Sequence, residues 1–264
     1  VTDHPALQRP LAFITGASSG IGQALAARYV QAGWRVALVA RRAQPMRDWA
    51  AQQGWPADRW AVHGADVRDD TQVLAAASAC LCTQGLPDVV IANAGISVGV
   101  DLSLAEDLPV LRDLLETNVM GVASTFQPFI APMRERGSGT LVGVASVAAM
   151  RGLPGHAGYC GAKAAVVHLC ETLRGELKPF GLKVVTIAPG YIDTPLTQGN
   201  DYPMPFLMTP QAFADRAFKA IEAGVRFRVI PWPMGIVATV LRFMPRWLFD
   251  AVVGAQKHRK KRRR

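Results

Sequence analysis

Short apolar runs alternate with longer helical patterns along this chain, and that alternation constrains its fold more than any other feature. The runs are Leu11–Thr15, Arg35–Ala40, Trp60–His63, Val89–Ala92, Thr140–Ala145 and Lys183–Ala188, with Arg226–Ile230 as a seventh. Between them, the patterns near 21–32, 43–53, 70–84, 107–134, 157–178 and 210–223 read as helices. Most runs are apolar at consecutive positions, so both faces of each strand need cover. Strands joined through helices run parallel. The expectation is one α/β domain over residues 1–230: a doubly wound parallel sheet of about seven strands with helices on both faces. No repeat or low-complexity linker interrupts that stretch.

The first strand runs directly into Thr15-Gly16-Ala17-Ser18-Ser19-Gly20-Ile21-Gly22 and then an Ala-rich helix. Glycines let the backbone turn tightly and approach a pyrophosphate, whose charge sits at the helix N-terminus. This spacing, G-x-x-x-G-x-G, differs from the G-x-G-x-x-G fingerprint but serves the same chemistry. It makes the domain Rossmann-like, with Gly16, Ser18, Ser19, Gly20, Ile21 and Gly22 as cofactor-binding candidates. NAD-binding folds commonly place an acid at the end of the second strand. Here that strand ends in Val39-Ala40-Arg41-Arg42. A guanidinium suits a phosphate, so NADP(H) is the expected cofactor, with Arg41 on the 2′-phosphate and Ser18 or Arg42 assisting.

A second constellation lies between Ser146 and Lys163. Tyr159 and Lys163 stand four residues apart at the start of a helix and project from one face. Ser146 follows the fifth strand, from which its hydroxyl can reach the same point. A phenol with a pKa of about 10 is a poor acid–base catalyst, and a neighbouring ammonium favours its ionised form.

With the glycine motif, these residues give the chain a resemblance to the short-chain dehydrogenase/reductase family over about residues 10–230. Asn93-Ala94-Gly95 after the fourth strand, Asn118 in a long helix, and Pro189-Gly190 with Thr194 after the sixth strand complete it. The resemblance implies an enzyme that transfers a hydride between nicotinamide and a carbonyl or secondary alcohol. It makes Tyr159 the general acid in reduction and base in oxidation, and Lys163 the residue that lowers its pKa and binds the nicotinamide ribose. Ser146 would orient the carbonyl, and Asn118 would hold a water linking Lys163 to solvent. Asp66 and Val67 would contact adenine, while Asn93, Ala94 and Gly95 line the ribose. Pro189, Gly190, Ile192 and Thr194 complete the cofactor cradle, with Thr194 on the carboxamide. Ser19 stands where NADP-dependent members often carry a basic residue, so NAD(H) stays open. No metal is expected: Cys80, Cys82, Cys160 and Cys170 lack ligand spacing.

Residues 195–210 are rich in Pro, Met and aromatics and read as a lid over an apolar pocket. Residues 231–264 form a separate apolar segment and basic tail. Its stretch 229–241 is uncharged but too short to span a bilayer, which takes about 20 apolar residues. An interfacial segment is expected, with Trp232, Phe243, Trp247 and Phe249 on or near the apolar side, and packing on the body or on another subunit stays open. Residues 257–264 hold seven of the chain's 29 Lys and Arg, leaving 22 bases against 20 acids elsewhere. The basicity belongs to the tail, so no specific nucleic-acid partner is expected, and peripheral membrane contact is. No secretory signal is read at the start, so the expected location is the cytoplasm or the cytoplasmic face of a membrane.

The leading expectation is an NADP(H)-dependent oxidoreductase for a lipophilic carbonyl or alcohol, assembled as a homodimer or homotetramer. A non-catalytic NADP(H)-binding or membrane-associated scaffold is the alternative from another class. An extended branch of the superfamily, performing epimerisation or dehydration, is the third.

Overall fold

The computed structural model describes residues 9–253; the basic run 257–264 lies outside the described residues. All seven expected strands form: β1 (Leu11–Thr15), β2 (Arg35–Ala40), β3 (Trp60–Gly64), β4 (Val89–Ala92), β5 (Gly139–Val144), β6 (Leu182–Pro189) and β7 (Phe227–Ile230). They make one parallel sheet in the order β3-β2-β1-β4-β5-β6-β7. The order reverses between β1 and β4, and the crevice outside the strand ends at such a point is where open α/β sheets bind ligands.

Period-two geometry explains why the strands are apolar throughout. In β1, Ala12 and Ile14 join a core beneath helices α1 (Gly20–Gln31), α2 (Ala43–Gln52) and α7 (Pro210–Glu222). Leu11 and Phe13 join the opposite core, beneath α3 (Asp70–Thr83), α5 (Gly121–Arg136) and α6 (Ala157–Leu177). Each side buries aromatic anchors. Phe13 meets Phe129 at 4.8 Å between ring centroids, while Tyr29 lies edge-on between Trp34 and Phe218, tying α1 to α7. Losing a buried Phe of this kind costs about 3–5 kcal/mol. At the far end of the sheet Arg35 is buried but satisfied, donating to the Gln84 carbonyl at 2.7 Å and the Arg9 carbonyl at 3.1 Å.

One expectation needs correction. The single helix over 107–134 is instead α4 (Leu108–Leu115), a π-helical turn at Glu116–Met120, and then α5. A π turn inserts a residue into the helical ladder and re-aims the side chains on it; here it turns Asn118 fully inward. Gly121 follows because a Cβ there would lie 2.7 Å from Val67 Cγ2. The apolar stretch after β7 takes the alternative of packing on the body. It folds as α8 (Trp232–Phe243) and α9 (Arg246–Val253), and α8 packs onto the sheet end. Gly190 admits it, since a Cβ there would sit 2.8 Å from Met234 Cγ. Trp232, Phe243 and Trp247 are exposed, but Phe249 is buried, with the Arg151 guanidinium 4.4 Å above its ring. A cation stacked on the ring face gives Phe249 an inward partner that the sequence pattern does not show.

Candidate active site

The glycine loop at the end of β1 is held by polar bonds and by the absence of side chains. Asn93 Nδ2 donates to the carbonyls of Thr15 at 3.0 Å and Gly16 at 3.2 Å, and the Asn93 amide donates to Thr15 Oγ1 at 3.2 Å. Gly16 has φ +66, and a Cβ on it would lie 2.7 Å from Ala94 Cα; one on Gly22 would collide with the Gly16 carbonyl oxygen. The turn therefore exists only with glycine at those points. Helix α1 starts at Gly20, within this motif, and Ser19 at its N-cap forms no side-chain capping bond.

Beside this loop lies a cleft of about 580 Å³. Its walls include Gly16, Ser18, Ser19, Gly20, Ile21, Arg41, Asp66, Val67, Asn93, Ala94, Gly95, Tyr159, Lys163, Pro189, Gly190, Ile192 and Thr194. Of the expected cofactor residues, only Gly22 is absent from the walls; it packs beneath the loop. Among the residues that sequence reasoning missed, Arg68 is the most informative. It bridges Asp66 at 2.8 Å and Asp113 at 3.2 Å, holding the Asp66 carboxyl below the usual range by hydrogen bonding. Asp113 is 45 positions away, so no local pattern announces the pair.

A second cavity of about 390 Å³ opens against the first. Ser97, Met150, Leu153, Tyr191, Leu196 and Tyr202 are among its walls, and α8 contributes Met234, Val237, Ala238 and Leu241. Within the expected lid, Leu196, Thr197, Asn200, Tyr202, Pro203 and Pro205 face this space. That segment is pinned at its far end by the bridge between Ile192 and Met208. His156 also lines the cavity, its ring edge-on to Tyr202 at 6.1 Å.

Ser146 and Tyr159 line both spaces. Ser146 follows β5 and caps a 3₁₀ turn by accepting from the Ala148 amide at 3.1 Å. It also bonds the Tyr159 side chain, which lowers the phenol's pKa, but burial outweighs this and pushes it above its ordinary value. That is opposite to the expected lowering by Lys163. The Lys163 ammonium is itself buried, its pKa dragged down to about 8, and it donates to the Val144 carbonyl at 2.8 Å. Its Nζ lies 6.0 Å from the Tyr159 ring centroid. Desolvation disfavours charge on both groups, and here it is the larger effect.

Asn118 sits under the cleft rather than on its wall. Its Oδ1 accepts from the Ile96 amide at 2.8 Å and its Nδ2 donates to the Ile96 carbonyl at 2.9 Å. The π turn thus locks the loop after β4. A Cβ on Gly95 would stand 2.9 Å from Asn118 Oδ1 and 3.4 Å from Lys163 Nζ, so that glycine lets the two side chains converge.

The comparisons with known proteins agree with this architecture. The family model for short chain dehydrogenase matches residues 10–203. An uncharacterized oxidoreductase of Myxococcus xanthus is 36% identical over 91% of this chain and 94% of its own length. The 17-beta-hydroxysteroid dehydrogenase type 1 of Mus musculus is 38% identical over 69% of this chain and 54% of that protein. Among solved structures, actinorhodin polyketide ketoreductase with NADPH superposes with a TM-score of 0.76 at 25% identity, covering 85% of this chain and 96% of the other. Fold, site and relatives together place the chain in the short-chain dehydrogenase family of oxidoreductases.

Proposed function

We propose that this protein is an NADP(H)-dependent oxidoreductase interconverting a carbonyl and a secondary alcohol on a lipophilic substrate. The observation that carries the reading is the placement of Ser146 and Tyr159 on the walls of both cavities. A proton donor at such a junction touches whatever spans it.

The long cleft suits a dinucleotide. Gly16, Gly20 and Gly22 leave a cradle that side chains would fill, and Arg41 and Arg42, which directly follow β2, line the cleft. Arg41 would hold the 2′-phosphate, Asp66 and Val67 would flank adenine, and Lys163 with Asn93 would hold the ribose. When bound, the cofactor supplies or accepts a hydride. Tyr159 gives its proton to the carbonyl oxygen in reduction and takes it back in oxidation. Its raised pKa keeps the donor form present at neutral pH. Ser146 orients the substrate oxygen, and the charge of Lys163 favours the phenolate left behind. Asn118 keeps the loop at Ile96 in place and holds the water that relays protons to Lys163.

The walls of the second cavity are mostly apolar, which supports a lipophilic substrate; the mouse relative's name refers to a steroid. The reading includes a homodimer or homotetramer, and peripheral contact with a membrane, at its cytoplasmic face, through residues 231–264. The test is NADPH consumption with ketones graded from small and polar to long-chain and polycyclic, run beside Tyr159→Phe. Turnover that rises with apolar size and falls by about 10²–10⁴ in the variant is expected. NADPH binding without turnover of any ketone would instead favour a non-catalytic protein.

A further inference from the structure

Helix α8 has two apolar faces, and the body of the protein uses only one. At about 100° per residue, Trp232, Ile236, Val240 and Phe243 fall within an arc of roughly 80°. All four are exposed, Trp232 at 68% and Phe243 at 78%. The opposite arc carries Met234, Val237, Ala238 and Leu241, the cavity wall. Beyond α8, α9 adds Trp247, 72% exposed, and Val252. Single exposed apolar residues are ordinary, whereas a contiguous aromatic and aliphatic stripe marks a site of contact.

We infer that this stripe docks on an anionic lipid bilayer, setting the substrate cavity one helix away from the lipid. Charge selects the occupant. Arg242 and Arg246 are exposed beside Phe243 and Trp247 in the chain, and residues 231–264 carry nine Lys and Arg against one acid, Asp250. A basic cluster beside an amphipathic helix is drawn to anionic headgroups. A second copy seated symmetrically on the same patch would bring Arg242 and Arg246 toward the same residues of the other copy, because a two-fold interface pairs like with like. Neither helix spans: α8 has 12 residues, and no helix among the described residues is long and apolar enough to cross a membrane. They would lie in the interface plane, with Trp232 and Trp247 at headgroup level.

The second consequence concerns substrate supply. A lipophilic carbonyl compound dissolved in the bilayer would reach the cavity past Val237, which both lines it and is exposed. This clause rests on the oxidoreductase reading; the lipid contact does not.

The full chain is tested by co-sedimentation with vesicles of phosphatidylcholine alone or with about one-third phosphatidylserine. Binding at least about tenfold tighter to the anionic vesicles is expected, with a blue shift of tryptophan emission. Ile236→Glu with Phe243→Glu, and separately removal of 257–264, are each expected to lose about tenfold in binding. Circular dichroism and turnover of a water-soluble ketone should not change, while turnover of a long-chain ketone carried in anionic vesicles should fall in both. Equal binding to the two vesicle types, or charge variants that bind like the parent, overturns the inference. So does light scattering that shows an assembly which the double glutamate variant breaks, because a second copy then covers the stripe. Lipid binding without turnover of any ketone leaves the docking surface standing and removes only the oxidoreductase reading.

Discussion

Lys163→Met is expected to abolish turnover and yet stabilise the fold at neutral pH. The Lys163 side chain is buried, and burial drags its pKa from 10.5 to about 8. One pKa unit corresponds to about 1.4 kcal/mol, so keeping the charge in the folded state costs roughly 3 kcal/mol below pH 8. Between pH 8 and 10.5 the unfolded chain holds this proton and the folded one does not. Stability therefore rises with pH across that window, and above it the penalty is gone. Methionine removes the charge while filling similar space, but it takes away the donor that the Val144 carbonyl meets at 2.8 Å. An unsatisfied buried carbonyl costs about 1–3 kcal/mol. The net expectation at pH 7 is a gain of up to about 2 kcal/mol, or up to roughly 6 °C in melting temperature. At pH 10.5 the sign reverses, because only the lost hydrogen bond remains. Urea unfolding of parent and variant from pH 7 to 10.5 measures the gap, and other titrating groups cancel in the difference. A gap that stays constant over that range would refute the reasoning, since the ammonium would then carry no burial penalty.

The remaining expectations concern the cofactor, the glycine loop and the pH profile. Arg41→Ala should reduce the preference for NADPH over NADH by about 10- to 100-fold in kcat/KM; an unchanged ratio removes Arg41 from the phosphate site. Gly22→Ala, whose Cβ would collide with the Gly16 carbonyl, should cost at least about 2 kcal/mol and weaken NADPH binding. Gly161→Ala meets nothing within 4 Å and should stabilise α6 by about 0.5–1 kcal/mol, so equal effects of the two in urea titrations would dismiss the packing argument. Carbonyl reduction should slow as pH rises through about 8, where Lys163 loses its charge while Tyr159, held above its ordinary pKa, keeps its proton. A rate flat from about pH 6 to 9 would contradict that order of titration.

Features made of residues close together in the chain are legible in the sequence itself. Consecutive apolar residues in Val36–Ala40 demand cover on two faces, and both cores supply it. The glycines at 16, 20 and 22 announce a turn, and Tyr159 and Lys163 share a helix face because four residues make about one turn. Sequence alone therefore determined the sheet, the glycine turn after β1 and the shared helix face of Tyr159 and Lys163. Tertiary structure decided what depends on distant groups or on exclusion of water. The π turn that buries Asn118 against Ile96 has no periodic signature, because hydrogen bonds to a loop 22 residues away hold it. Arg68 finds Asp113 only once folding brings the turn after β3 to α4. Burial, which no local spacing encodes, turned the Tyr159 pKa upward and lowered that of Lys163. The apolar pattern of 229–241 could not say which face would meet the protein, since packing against the end of the sheet turned Met234 and Ala238 inward and left Trp232 and Phe243 outside.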